Sequence, residues 1–337
     1  MIEETAKKEE LPILLNVLDE PLEVTYPTAN LPLFESRRTR SGYSLSQTCT
    51  RDSLEALSTS SDELKSEVPD YGDMIECLLS SDVIKHSNID YLKRNINVGQ
   101  GFGKRRTFSP DTNILYHRFI SNSTLIDPRD VVLVGAIRDE IEASLNHKYT
   151  PEQIVAMKRT LPYNRLLIEE LMNRRMKESR KAACLAKIEY QWLRRGGIEI
   201  ESYEKPTANT EENDRIIART LTKHNKENNS NVVMLTADKS MTDLCEMEGL
   251  ECFYLETPKK IGPEIPDLNA RQMRSFLFNL AGVLGFVKMN SVIIFGEFKG
   301  KKDPEEIKLR FLDEKVFNEF SRHLKICRDL MKLGITQ

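Results

Sequence analysis

Paired cysteines are missing from this sequence. Six cysteines (Cys49, Cys77, Cys184, Cys245, Cys252, Cys327) are scattered over 337 residues with no Cys-x-x-Cys or Cys-x-x-His pair. That spacing argues against a zinc finger or ribbon, and a chain of this size does not need a disulfide framework. Reduced, mostly buried thiols are expected. Long apolar runs are also lacking. The most apolar window, "FLFNLAGVLGFVKMNSVIIF" (276–295), is interrupted by Asn279, Lys288, Asn290 and Ser291. A membrane span needs about twenty apolar residues in a row, so a helix followed by a strand is the better reading. The opening "MIEETAKKEELPILL" lacks the basic-then-apolar order of a secretory signal. These absences lead us to expect a soluble protein, cytoplasmic or otherwise intracellular, with no membrane partner. The Gly-rich run "NVGQGFGKRR" (97–106) lacks Ser or Thr after Lys104, and no helix pattern opens there. The backbone cradle and metal-binding hydroxyl of a phosphate loop are therefore not encoded, and the run reads as a flexible basic approach loop. No internal repeat is evident.

The length is sufficient for one large domain or two ordinary ones. The formal net charge is −3, yet residues 1–100 hold about eight more acids than bases. The remainder is mildly basic, an asymmetry that suits an anionic partner such as nucleic acid.

Residues 11–34 offer two short strand candidates, "LPILLNVL" and "PLEVTYP". A Ser/Thr-rich stretch from about 35 to 70 reads as loop plus a short helix, and helices are expected near 73–80 and 89–95. From Asp111 onward strands and helices alternate: "VVLVGAI", "RDEIEASLN", "IEIESY", "ENDRIIARTLTKHN", "NVVMLTA", "KSMTDLCEMEG", "LECFYL". Alternation of this kind predicts an α/β fold, with a central parallel sheet covered by helices on both faces. A helix capped by Thr150 with Pro151 at its first position opens a helical insert over 151–195. After Pro258 come a helix (270–288), two strands and a last helix (315–333). The expected organisation is an N-terminal extension (1–105), a central domain (106–257) and a C-terminal α+β element (258–337).

In an open parallel sheet, ligands bind outside the carboxyl ends of the strands. Four acids are expected at such junctions: Asp111 after "RRTFSP", Glu140 after "VVLVGAI", Asp214 at the start of "DRIIARTL", and Asp238 after "VVMLTA". Each alone is explained as a helix cap or first-turn residue. Four together imply a cation, because like charges are not packed without one and hard oxygen ligands suit Mg²⁺ or Mn²⁺. Asp139 and Glu142 compete with Glu140. Helical geometry lets one of the three aim inward, and Ile137 and Ile141 favour Glu140. Pro110 cannot donate to a ladder, so the first strand is expected to end at or before Ser109. Asp243 is either an additional site acid or a solvated helix residue.

The segments "PDTNILYHRF", "AIRDEIEASL", "NDRIIARTL" and "VVMLTADKSM", in that order, resemble the four acidic motifs of the PIN-domain ribonucleases. The resemblance covers roughly residues 107–256. It implies a parallel sheet between helices and metal-dependent hydrolysis of RNA phosphodiesters. It assigns Asp111, Glu140, Asp214 and Asp238 to the four acidic positions, and Asn113 and Thr236 to supporting polar ones. In-line hydrolysis at such a site leaves a 5′-phosphate and a 3′-hydroxyl. The insert lengthens the interval between the second and third motifs.

RNA, single-stranded by preference, would be gripped by basic residues and an aromatic that stacks on a base. The candidates are Lys104, Arg105 and Arg106 before Asp111, then Arg174, Arg175, Arg180, Lys181, Arg194 and Arg195, with Trp192. The alternative for this segment is a solvated helix with Trp192 in the core. His117 and His147 read as ordinary helix-surface residues. A phosphotransfer enzyme of the HAD type would want an acid where Asn113 stands. The rival of another class is a non-catalytic PIN-like RNA-binding or assembly scaffold, its flanking segments serving a protein partner.

Overall fold

The computed structural model describes residues 2–58, 65–96, 106–205, 207 and 210–334. The chain is mixed α/β and divides into two compact units. One comprises Met1–Cys77, His147–Arg180 and Ile261–Gln337, the other Leu78–Asn146 and Lys181–Lys260.

The first unit is built on an eight-stranded antiparallel sheet. Its strands run in the order Ile2–Lys7, Glu306–Phe311, Val292–Phe295, Phe286–Met289, Leu22–Tyr26, Leu31–Arg38, Tyr43–Gln47, Glu264–Leu268. Ile2 lies opposite Phe311 at one end of this order, so the N-terminal and C-terminal segments, expected as separate parts, share a single sheet. The physical reason is that two or three short strands cannot bury an apolar face alone. Three local expectations are corrected here. "LPILLNV" is a helix (Leu11–Val17) rather than a strand: Leu11, Leu14, Leu15 and Leu18 are all buried, a helical spacing. The Ser/Thr-rich stretch contains a strand, Tyr43–Gln47, because Tyr43 and Leu45 alternate inward. The helix predicted over 270–288 stops at Leu284, where Gly285 takes φ +81° and a new strand begins at Phe286. Gly296 lies so close to that helix that an added Cβ would stand 2.4 Å from the Ala281 backbone.

The second unit carries the parallel strands β1 (Arg106–Pro110), β2 (Val132–Val134), β3 (Ile198–Ile200), β4 (Asn231–Thr236) and β5 (Cys252–Tyr254). β1, β4 and β5 form one ladder and β2 and β3 another, all parallel. A parallel bridge between Phe108 and Val131 connects the two, giving the spatial order β3-β2-β1-β4-β5. β2 and β4 are near-continuous apolar runs, and the strands are packed by helices α1 (Thr112–Tyr116), α2 (Gly135–Ser144), α3 (Thr210–Asn228) and α4 (Lys239–Glu248). β2 is shorter than the predicted "VVLVGAI", because Gly135 already starts α2.

β1 extends through Pro110, against expectation, with Pro110 in register with Leu235. The amide of Asp111 donates to the Leu235 carbonyl at 2.9 Å. Alternate residues of a strand direct their amides to opposite neighbours, so the donor that Pro110 lacks falls on the side away from β4. The predicted boundaries also shift. Residues 78–96 belong with the parallel sheet rather than the N-terminal extension, and the helical insert is divided between the units at Arg180.

Candidate functional site

The sheet order reverses direction between β1 and β4: the chain moves outward from β1 to β3, then returns to the other side. That reversal is the switch point at which open parallel sheets bind ligands, beyond the carboxyl ends of their strands. Asp111 directly follows β1, and Asp238 comes two residues after β4.

Asp111 caps α1. Its Oδ1 accepts the Ile114 amide at 2.7 Å, and its Oδ2 accepts the Thr236 hydroxyl. Asp238 caps α4 by accepting the Ser240 amide at 2.9 Å. Its own amide donates to the Thr236 hydroxyl oxygen at 2.9 Å. One fully buried hydroxyl therefore links the Asp111 carboxylate to the Asp238 backbone. Glu140 stands in the second turn of α2, where Thr112 donates to its Oε2 at 2.6 Å. Of its rivals, Asp139 pairs with Arg138 at 3.1 Å and Glu142 is exposed. Asp214 lies in the N-terminal part of α3.

All four predicted acids line one cavity of about 420 Å³, as do Asn113 and six residues that no sequence motif singles out: Thr112, Tyr116, Glu211, Asn213, Ser240 and Met241. Thr236 is buried beneath it. Among the described residues the lining holds five carboxylates and no Lys, Arg or His. Asp243 is exposed and lies outside that lining. Thr112 sits beside the stronger motif residue Asp111, and Glu211 lies three residues before Asp214.

The electrostatics reflect this composition. Burial pushes the Asp111 carboxyl up to about 7, against the lowering effect of its hydrogen bonds. Burial raises Asp214 to about 6, with the negative charges of Glu140, Asp238 and Glu211 adding to it. Both shifts are costs that a bound cation would relieve. Among the described residues, no three His, Cys, Asp or Glu side chains stand close enough together to hold one metal ion between them. The donor chemistry nonetheless fits a hard divalent cation, being all oxygen and unbalanced in charge.

The basic candidates are placed differently from expectation. Lys104 and Arg105 lie outside the described residues. Arg106 begins β1, and a five-residue strand separates it from Asp111 by roughly 16 Å. It is buried, ion-paired with Glu251, bonded to the Asn95 carbonyl at 3.0 Å and stacked 5.3 Å from the Phe253 ring centroid. Arg180 is 1 % exposed and pairs with the equally buried Glu67 at 2.7 Å. Its place is structural, as burial of a guanidinium beside a carboxylate dictates. Lys181 is buried too. Arg174 and Arg175 are half-buried in the unit with the antiparallel sheet, Arg175 lying 3.8 Å from Glu297. Trp192 is 38 % exposed rather than part of the core, and Arg194 and Arg195 are exposed beside it. These three precede β3 and so stand at the amino ends of the strands, opposite the carboxylates. Sequence proximity to a motif could not distinguish the two ends of a strand.

His147 is exposed as expected. His117 is not: it is buried and 3.0 Å from His86. No described helix is long and apolar enough to cross a membrane. No protein-family model matches the chain, and no curated protein matches it.

Proposed function

We propose that this protein is a divalent-metal-dependent endoribonuclease of the PIN type, hydrolysing RNA phosphodiesters at the carboxyl ends of β1 and β4. The observation that carries the reading is the cavity at the switch point, lined by five carboxylates without a basic residue. Its fivefold 3-2-1-4-5 parallel order supports the PIN-like arrangement that the four sequence motifs resemble.

Asp111, Glu140, Asp214 and Asp238 would hold Mg²⁺ or Mn²⁺. Such an ion, when bound, supplies Lewis acidity toward a phosphoryl oxygen and lowers the pKa of a coordinated water. The chain's own residues do the positioning. Thr236 holds the Asp111 carboxylate and the backbone of Asp238 through its single hydroxyl. Thr112 orients Glu140. Asn113 and Ser240 bring neutral polar groups to the cavity rim, able to bond phosphate or ribose without adding charge. Lys239, next to Asp238 and 6.0 Å from the Tyr254 ring centroid, is a cation suited to a flanking phosphate.

The test is incubation of the full chain with Mn²⁺ or Mg²⁺ and matched RNA and DNA oligonucleotides, alongside Asp111→Asn and Asp238→Asn. Metal-dependent RNA cleavage lost in both variants supports the proposal. The separation of the acids favours a second reading, an RNA-binding or assembly scaffold without cleavage. Intact substrates with both metals, and RNA binding unchanged by the variants, would establish that reading instead.

A further inference from the structure

The second unit contains another cavity, of about 290 Å³, lined by His86, His117, Phe119, Asn122, Ser123 and the two lysines Lys85 and Lys93. Its aromatic side is ordered. His86 Nε2 and His117 Nδ1 are 3.0 Å apart, the two rings lie 5.0 Å apart between centroids, and Phe119 meets His86 edge-on at 5.4 Å. Burial holds His86 at about 4 and His117 at about 3, so both imidazoles are neutral at physiological pH. Whichever tautomer occupies the shared bond, the two remaining ring nitrogens are one donor and one acceptor. Ser123 also lines the cavity, its hydroxyl buried and without a hydrogen-bond partner among the described residues.

The cavity adjoins the carboxylates along the chain and along the sheet. Tyr116 and Asn113 line the carboxylate cavity, while His117, whose amide bonds the Asn113 carbonyl at 3.0 Å, lines this one. The segment carrying His86 is tied to the carboxyl end of β5. Asn88 Nδ2 donates to the Tyr254 carbonyl at 2.7 Å, and the Ser87 amide donates to the Glu256 carbonyl at 2.9 Å. His86 and His117 thus stand near the carboxyl ends of the strands, while Asn122 and Ser123 carry the lining toward the loop that leads into β2.

We propose that this cavity receives one unstacked nucleobase of the RNA strand whose phosphodiester lies against Asp111 and Asp238. The inference rests on the proposed function above. The volume falls at the low end of small-molecule sites, which run from about 300 Å³ upward, and suits a single flat heterocycle. Unpaired bases are recognised by aromatic stacking, histidine included, and by hydrogen bonds to their edges, and the lining offers both. Lys85 and Lys93 are half-exposed and form surface pairs with Asp82, itself part of the lining, and Asp90. Such pairs are weak and can be exchanged for backbone phosphates.

The experiment measures, in EDTA, the affinity of the full chain for a set of single-stranded RNA heptamers, each abasic at a different position. Cleavage of the intact heptamer with Mn²⁺ is measured separately. Ser123→Phe fills the cavity, Thr124→Trp at its rim serves if that variant unfolds, and thermal unfolding checks both. The expected result is about tenfold weaker binding when one particular position is abasic, with that penalty absent in the filled variant. Equal affinities at every position, or a penalty undiminished in a folded filled variant, overturn the inference. A penalty without cleavage supports the subsite and overturns the nuclease. Cleavage without a penalty overturns the subsite alone, and absence of both overturns both.

Discussion

Replacing Asp111 by Asn offers the most direct physical test of the site, because it needs no substrate. The folded carboxyl holds its proton up to about pH 7, whereas an unfolded Asp ionises near pH 4. Between those values the folded state binds one more proton than the unfolded state. Stability contributed by Asp111 is therefore fully present below about pH 4 and falls as pH rises through the folded value. One proton changes stability by about 1.4 kcal/mol per pH unit, so the window amounts to roughly 4 kcal/mol. Asparagine accepts the Ile114 amide as Asp111 does, and its amide group can donate to the Thr236 hydroxyl oxygen. The neutral variant should escape the loss. Trp192, the only tryptophan, lies in the same unit as Asp111, so urea unfolding followed by its fluorescence reports the relevant transition. In EDTA, the stability difference between variant and wild type should widen by about 1.4 kcal/mol per unit from pH 4 to 7. Asp214, also raised, contributes to both proteins and cancels in the difference. Parallel curves for the two proteins across this range would refute the buried, uncompensated Asp111.

At pH 7.5, Mn²⁺ at a hundredfold excess over its dissociation constant should stabilise the wild type by about 2.7 kcal/mol and leave Asp214→Asn and Asp238→Asn little changed; thermal unfolding with and without the ion decides it. Thr236→Val should cost about 1–3 kcal/mol by stranding buried partners and depress cleavage, with Thr236→Ser restoring both, read by chemical denaturation and product formation. Arg106→Ala should lower stability while RNA affinity of the folded protein stays the same, and a loss of affinity would return Arg106 to the RNA interface. Arg180→Ala leaves Glu67 buried without its guanidinium and should cost about 3–5 kcal/mol, measurable by urea unfolding.

Much of the site was legible in the sequence because its signal is local. An acid just after an apolar strand, before an amphipathic helix, is a pattern of neighbouring residues. Asp238 fits that pattern, Asp111, Glu140 and Asp214 stand at the same kind of junction, and the order of the four motifs supplied the rest; all four line the same cavity. The parallel strands from Val132 to Tyr254 are readable for a similar reason, as short segments alternating with helical periods, whereas the first strand offers only Phe108 as a clearly apolar residue.

What the sequence alone determined, then, is the set of elements and the acids at their ends. Tertiary structure decided how those elements share surfaces. The sheet that unites Ile2–Lys7 with Glu306–Phe311 pairs residues some three hundred positions apart, and no local pattern encodes that partnership. Arg106 and Arg180 carry the same charge as a surface arginine in sequence, yet each is buried against a carboxylate contributed from far along the chain. His117 looked like a helix-surface residue until His86, thirty-one positions earlier, closed over it. Burial is a property of the assembled fold, and it sets which charges are structural, which are free for a ligand, and which acids need a cation.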